Sequence, residues 1–224
     1  MTIIKVLDLF AGAGGASEGY ARAGFYTYGI DNDPKALRHY PYDNQCMDIK
    51  SVTIKMIQKF DLAHASPPCQ AHTDLRSRTG KYYEDLIPYT RDLLVTSGVP
   101  YVIENVESTN DHLIDAVMLC GTSFGLGAVC KDGAYRQLWR HREFESSFEI
   151  RPHPRGCMHA GQPIGVYGDG GGGMQTRGYK AYAAEGLDAM DIRHYTPRKY
   201  VSQAIPPAFT EYIGHEFLRS IDAI

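Results

Sequence analysis

Three short runs of this 224-residue chain hold the side chains with chemical reach. SPPCQ, Ser66–Gln70, follows an apolar run and presents Cys69 from a loop that two prolines hold stiff, a poor way to build a core and a good way to expose a nucleophile. ENV, Glu104–Val106, ends another apolar run, so a carboxylate arrives beside the thiol. A nucleophile attacking an electron-poor ring needs such an acid to protonate the ring nitrogen. DLFAGAGG, Asp8–Gly15, is a glycine turn that lets backbone N–H groups approach a ligand, and Asp31, one strand further on, suits ribose hydroxyls. Periodicity alone does not separate a dinucleotide from S-adenosylmethionine here. Asp48 in CMDIK offers a third contact to the same ligand, or a plain helix cap.

These runs need strands that end together. Apolar patterning predicts strands at 3–9, 26–31, 61–65 and 100–106, with helices at 16–23, 34–40 and 82–97 between them. Strands alternating with helices imply right-handed crossovers and an α/β fold, a doubly wound, mostly parallel sheet. From Tyr135 to Phe148 apolar and basic residues alternate as in a hairpin. Residues 149–190 are rich in Pro, Gly, His and Arg, and Gly170–Gly173 reads as a flexible connector. A last helix opens at Pro206 and Pro207 and repeats Phe209, Ile213, Phe217 and Ile221 every four residues, an apolar face for burial. The expected organisation is a catalytic body at 1–145, an insert at 146–190 and a C-terminal completion at 191–224.

DLFAGAGG, SPPCQ and ENV, in that order, resemble motifs I, IV and VI of the DNA (cytosine-5) methyltransferases. The resemblance extends to WRHREF, where Arg140 and Arg142 match the paired arginines of motif VIII, and to SQAIPPAFTEYIG, similar to motif X. It spans both ends of the chain and leaves out only the insert, whose small size points to a compact, stand-alone or phage-type enzyme. It implies a Rossmann-like fold that binds S-adenosylmethionine through Phe10, Gly12, Gly14, Asp31, Asp48 and Gln203, with S-adenosylhomocysteine as product. Cys69 would add to C6 of a cytosine flipped out of double-stranded DNA, because unactivated C5 is too poor a nucleophile to take a methyl group. Glu104 would stabilise the base protonated at N3, Arg140 and Arg142 would hold its oxygen and orient the catalytic strand, and Asn105 would support the Cys69 loop.

The chain departs from the family pattern in three places. Ala71, His72 and Thr73 stand where Pro-Phe-Ser is usual, Leu138 stands at the place of a glutamine, and Ser202 and Gln203 replace Gly-Asn. The longer side chain of Gln203 bears on the shape of the cofactor pocket. Arg76, Arg78 and Lys81 lie in the stretch that closes over DNA in the family, though Asp74, Glu84 and Asp85 balance them as in a solvated connector. Within the insert, Arg151, His153, Arg155, His159, Gln175 and Arg177 are candidate base or phosphate readers. Cys157 and His159 form a C-x-H pair with no further ligands at metal-binding spacing, so no metal is expected.

Net charge is −3, which excludes a generally basic nucleic-acid coat. The charge is uneven: net −4 over 1–130, +3 over 131–200 and −2 over 201–224, so the basic stretch coincides with the motif VIII arginines and the insert. Five cysteines without regular spacing, no signal-like N-terminus and no membrane-length apolar run point to a reducing, cytoplasmic setting. An RNA cytosine is the alternative substrate, since one relative with these motifs acts on transfer RNA. A non-catalytic DNA-binding relative is the alternative class, but it would have no use for Cys69 and Glu104. A nucleotide-dependent dehydrogenase would explain the first turn and leave SPPCQ and ENV without purpose.

Overall fold

The computed structural model describes residues 3–68, 84–107, 112–167 and 178–222. Its centre is a seven-stranded sheet in the order β3-β2-β1-β4-β5-β9-β6. The strands are β1 (Lys5–Leu9), β2 (Tyr26–Asp31), β3 (Asp43–Cys46), β4 (Leu62–Ala65), β5 (Tyr101–Asn105), β6 (Val117–Cys120) and β9 (His141–Ser146). The first five run parallel, while β9 enters antiparallel between β5 and β6. The expected doubly wound, mostly parallel sheet is therefore what the chain builds.

Side chains alternate across the pleat, so the central strands β1, β4 and β5 each feed two cores. Val6, Leu62, Val102 and Phe144 pack beneath α1 (Gly15–Arg22) and the C-terminal helix α7 (Pro207–Asp222). Leu7, Leu9, Ala63, Ala65 and Ile103 face the other way, against α4 (Ile87–Ser97). Phe209, Ile213 and Phe217 of α7 are buried as their spacing requires, while Ile221 emerges into solvent. Helices α1 and α7 come close enough that a β-carbon on Gly19 would collide with Thr210 and Pro207. Bidentate bonds from Arg91 of α4 to Glu145 of β9, at 2.8 and 2.6 Å, tie the second helical layer to the antiparallel strand.

The structure corrects several element expectations. The helix beginning at Pro34 is one turn, α2 (Pro34–Leu37), rather than reaching Tyr40. Strand β3 is an exposed, wholly polar edge, DNQC, and so lacked any apolar signal. A further turn of helix, α3 (Ile54–Ile57), precedes β4. The alternation over Tyr135–Phe148 is not one hairpin: β8 (Tyr135–Gln137) folds back on β7 (Gly127–Val129), whereas β9 joins the main sheet.

Residues of the 146–190 stretch do not stand apart from the body. Ile150, Ile164, Val166, Ala181, Ala189 and Met190 share the core that holds Val6 and Phe209. Strands β10 (Ile164–Gly165) and β11 (Tyr179–Lys180) form a small parallel pair, followed by α5 (Ala183–Met190) and the single turn α6 (Arg198–Val201). The glycine run 170–173 lies outside the described residues. Among the described residues, no helix is long and apolar enough to cross a membrane.

Candidate functional site

Parallel register brings the polar ends of β1, β4 and β5 to one sheet edge. Asp8 pairs with His64 across β1 and β4, and His64 pairs with Val102 across β4 and β5, so Glu104 lies two residues beyond on the same face. Arg140, Arg142 and Phe144 alternate onto that face from the β9 side, and Phe144 sits opposite Glu104. Spacing by two in RHR thus delivers two guanidinium groups together. Arg142 Nε lies 2.7 Å from Glu104 Oε1.

Glu104 is 5 % exposed. Burial pushes its pKa up, and the cations of Arg142 and Arg140 together with a Ser66 hydrogen bond pull part of the way back. Behind it runs a chain of neutral groups. Tyr20 OH lies 3.0 Å from His64 Nδ1, and His64 Nε2 lies 3.0 Å from Ser66 Oγ. Burial lowers the His64 pKa to about 3, so its ring is neutral and carries one N–H. With Ser66 donating to Glu104, the chain has one consistent direction: Tyr20 donates to Nδ1, and Nε2–H donates to Ser66. His64 and Ser66 were not singled out in the sequence, although a histidine inside LAHAS, two residues before the proline loop, was the available signal.

Asn105 Nδ2 donates to the Pro67 carbonyl at 2.9 Å, which ties down the backbone two residues before Cys69. Cys69 itself lies outside the described residues, as do Arg76, Arg78, Lys81 and Arg177. Arg155 is exposed. Two other candidate readers are engaged with the body: Arg151 pairs with Glu216 of α7 at 2.9 Å, and His153 packs against Phe124 and Tyr212.

Arg140 is held largely by main-chain carbonyls. It is 2 % exposed, and its terminal nitrogens donate to the carbonyls of Val166, Ser202 and Ala204 at 2.8, 2.9 and 2.8 Å. With three of its five N–H donors on main-chain oxygens, the guanidinium braces the segment around Gln203. Gln203 is exposed, between the two carbonyls that Arg140 holds.

At the glycine turn, Phe10 and Gly12 have φ of 60° and 53°, and Gly14 has 93°. Left-handed backbone at three of five positions curls the chain so that its amides turn inward. Asp31 accepts from Gly12 N at 2.8 Å and from Asp33 N at 2.7 Å, so it shapes the turn that it was expected to complement. A β-carbon at Gly12 would meet only open space, whereas one at Gly14 would strike Pro41 and one at Gly15 would sit 2.6 Å from the Ile205 carbonyl. Gly15 therefore seats the 204–205 segment on the start of α1, and Gly12 leaves a cradle. Asp48 is exposed and caps the turn Ile49–Ser51 by accepting from Lys50 N at 2.8 Å.

Two further contacts were not legible in the sequence. Buried Glu18 of α1 receives Arg22, the Arg193 amide and His194 Nδ1, and His194 Nε2 reaches the Ala13 carbonyl at 2.7 Å, fastening the C-terminal segment to the glycine turn. Cys157 and His159 stand against Cys120 and His141.

Known proteins place the chain. The Type II methyltransferase M.HindV of Haemophilus influenzae is 29% identical over 136 residues, a match that covers 55% of this chain and 45% of that protein. The Entamoeba histolytica methyltransferase EhMeth superposes with a TM-score of 0.63 at 12% identity, over 99% of both chains. The S. pombe Dnmt2 methyltransferase superposes with a TM-score of 0.61 at 15% identity, over 97% of this chain and 99% of its own. At such identities these structures speak for the fold, which is that of the methyltransferases. The model of the C-5 cytosine-specific DNA methylases matches residues 4–112, the stretch that runs from β1 through the glycine turn and the SPPCQ loop past Glu104. The similarity to the C-5 cytosine-specific DNA methylases thus rests on residues 4–112, just under half of the chain.

Proposed function

We propose that the protein methylates C5 of a cytosine flipped out of double-stranded DNA, using S-adenosylmethionine and a covalent adduct between Cys69 and C6. The observation that carries this reading is the Arg142–Glu104 pair, held on the same sheet edge from which Asn105 anchors the backbone leading into Cys69.

The turn fits a nucleoside cofactor: the Gly12 cradle is open, Phe10, Gly12 and Gly14 curl the backbone, and Asp31 stands beside it. These residues, with Asp48 and Gln203, would hold S-adenosylmethionine. Bound there, it supplies an electrophilic methyl group and leaves as S-adenosylhomocysteine.

The protein's own groups prepare the base. A Cys69 thiolate adds to C6 while Glu104, whose burial favours a held proton, donates to N3, so the electrons of the C5–C6 double bond become available at C5. Arg142 keeps Glu104 in place and offers positive charge where the base gains negative charge. Once C5 carries the methyl group, loss of its proton to a base restores the double bond and expels the Cys69 thiolate, and N3 returns its proton to Glu104. Arg76, Arg78, Lys81, Arg155 and Arg177 would contact phosphate.

A duplex library containing 5-fluorocytosine tests this, because fluorine at C5 blocks the final elimination. A denaturation-resistant adduct that needs S-adenosylmethionine, and that Cys69→Ser abolishes while DNA binding survives, is the expected result. An adduct with transfer RNA in place of DNA would move the substrate class. No adduct with either nucleic acid would overturn the reaction.

A further inference from the structure

We propose that Cys120, His141, Cys157 and His159 form a structural zinc site that fastens the start of the 146–190 segment to the sheet edge beside the candidate active site. Cys120 ends β6, His141 opens β9, and the two are register partners in the antiparallel pair. Cys157 and His159 arrive from the loop beyond β9, and all four ligand atoms lie within 4.8 Å of one another.

Four of the six ligand–ligand distances come close to the edges of a zinc tetrahedron. With Zn–S of about 2.3 Å and Zn–N of about 2.0–2.1 Å, tetrahedral edges are roughly 3.3 Å between nitrogens and 3.6 Å between nitrogen and sulfur. Here His141 Nε2 lies 3.2 Å from His159 Nε2 and 3.1 Å from Cys157 Sγ. His159 Nε2 lies 3.2 Å from Cys120 Sγ and 3.6 Å from Cys157 Sγ. Two thiolates and two imidazoles are a closed ligand set with no position left for water, so the ion would be structural rather than catalytic, and soft sulfur selects zinc over magnesium or calcium.

The surroundings support the ligands. Glu107 Oε2 lies 3.0 Å from His141 Nδ1, the carboxylate partner that leaves Nε2 free for a metal. Trp139 stacks on His159 with centroids 4.5 Å apart and planes 5° from parallel. Thr122 Oγ1 accepts from the Met158 amide at 3.0 Å, and Gln137 Oε1 accepts from the Ala160 amide at 2.9 Å, so the loop backbone is pinned on both sides of His159. Arg142, bonded to the His141 carbonyl at 2.8 Å, follows the ligand directly. Zinc would therefore fix the origin of the strand that presents Arg142 to Glu104. The sequence expectation of no metal is reversed here because two of the four ligands lie on separate strands, far from the C-x-H pair in the chain.

Zinc content decides the matter independently of methyl transfer. The full-length protein, purified under reductant and without chelator, is expected to carry about one equivalent of zinc by mass spectrometry. Cobalt exchange should give the intense visible bands of a tetrahedral site together with thiolate-to-metal charge transfer. Cys157→Ala/His159→Ala should lose the metal. His159→Cys should keep it and raise the charge-transfer intensity, a rescue that separates ligation from folding. Glu107→Gln should weaken zinc binding about 10-fold or more. Reduced protein that neither contains zinc nor takes up an equivalent on titration overturns the proposal. So does the same metal content in the double variant, or a Cys120–Cys157 disulfide in protein isolated from a reducing cytosol.

Discussion

The Glu104 carboxylate meets the Arg142 guanidinium at 2.7 Å, with both side chains nearly withdrawn from water. The pair sets two opposed influences on one carboxyl group. Burial favours the protonated acid, and the cation favours the anion. A group so balanced can donate a proton to a ring nitrogen and take it back.

Glu104→Gln keeps the shape and a hydrogen-bond donor but loses the transferable proton. Its single-turnover methylation rate should fall by roughly 10²–10³ with DNA and cofactor affinities near those of wild type. Wild-type turnover in the variant would remove Glu104 from the chemistry. Ser66→Ala removes a hydrogen bond that lowers the Glu104 pKa, so the alkaline limb of the rate profile should move to higher pH. An acid-ward shift would contradict this assignment.

Arg140→Lys should act on stability and on the cofactor side of the site. A lysine cannot serve three separated carbonyls in a planar fork, and buried carbonyls left without donors cost about 1–3 kcal/mol each. We expect a loss of about 3 kcal/mol in urea denaturation and weaker S-adenosylmethionine binding by calorimetry. Unchanged stability with a selective loss of base affinity would instead return Arg140 to the substrate.

Asp8 gives the fold a defined pH response. It is fully buried, Oδ2 accepts from Ser17 Oγ at 2.6 Å, and Oδ1 has no partner among the described residues. Burial, added to by the charges of Asp31 and Glu104, raises its pKa from 3.8 to about 7. The folded state thus holds a proton that the unfolded chain releases, and this contribution is complete below pH 3.8 and is lost as pH rises to about 7. His64, lowered from 6.5 to about 3, acts in the opposite sense and costs stability as pH falls through that interval. Comparison with Asp8→Asn isolates the first effect: between pH 4 and pH 8 the variant should gain on wild type by roughly 2–4 kcal/mol. Parallel stability curves would show that Asp8 is ionised throughout.

Gly19→Ala should destabilise the protein by about 2–3 kcal/mol in urea, because the new methyl group meets Thr210 and the Pro207 carbonyl at the α1–α7 contact. Gly24→Ala is the control. Its β-carbon meets nothing, but its φ of 90° costs about 1 kcal/mol. Equal losses would mean that α7 yields, and that the close approach is not required.

By itself, the sequence determined the parallel sheet, the order of its motifs and the strand ends that carry Asp8, Asp31 and Glu104. Apolar runs of strand length, helices of crossover length and glycines at turns are local signals, and each is complete within a few residues. The tertiary structure decided what those side chains touch. Arg140 and Arg142 look alike in WRHREF, yet one braces Val166, Ser202 and Ala204 while the other meets Glu104, because β9 runs antiparallel between two strands whose positions RHR does not encode. Polar β3 escaped notice because an exposed edge strand needs no apolar pattern. Cys120, His141, Cys157 and His159 come together only when β6, β9 and a distant loop share one edge. Chain spacing records local geometry, and a site assembled across strands leaves no period in the sequence.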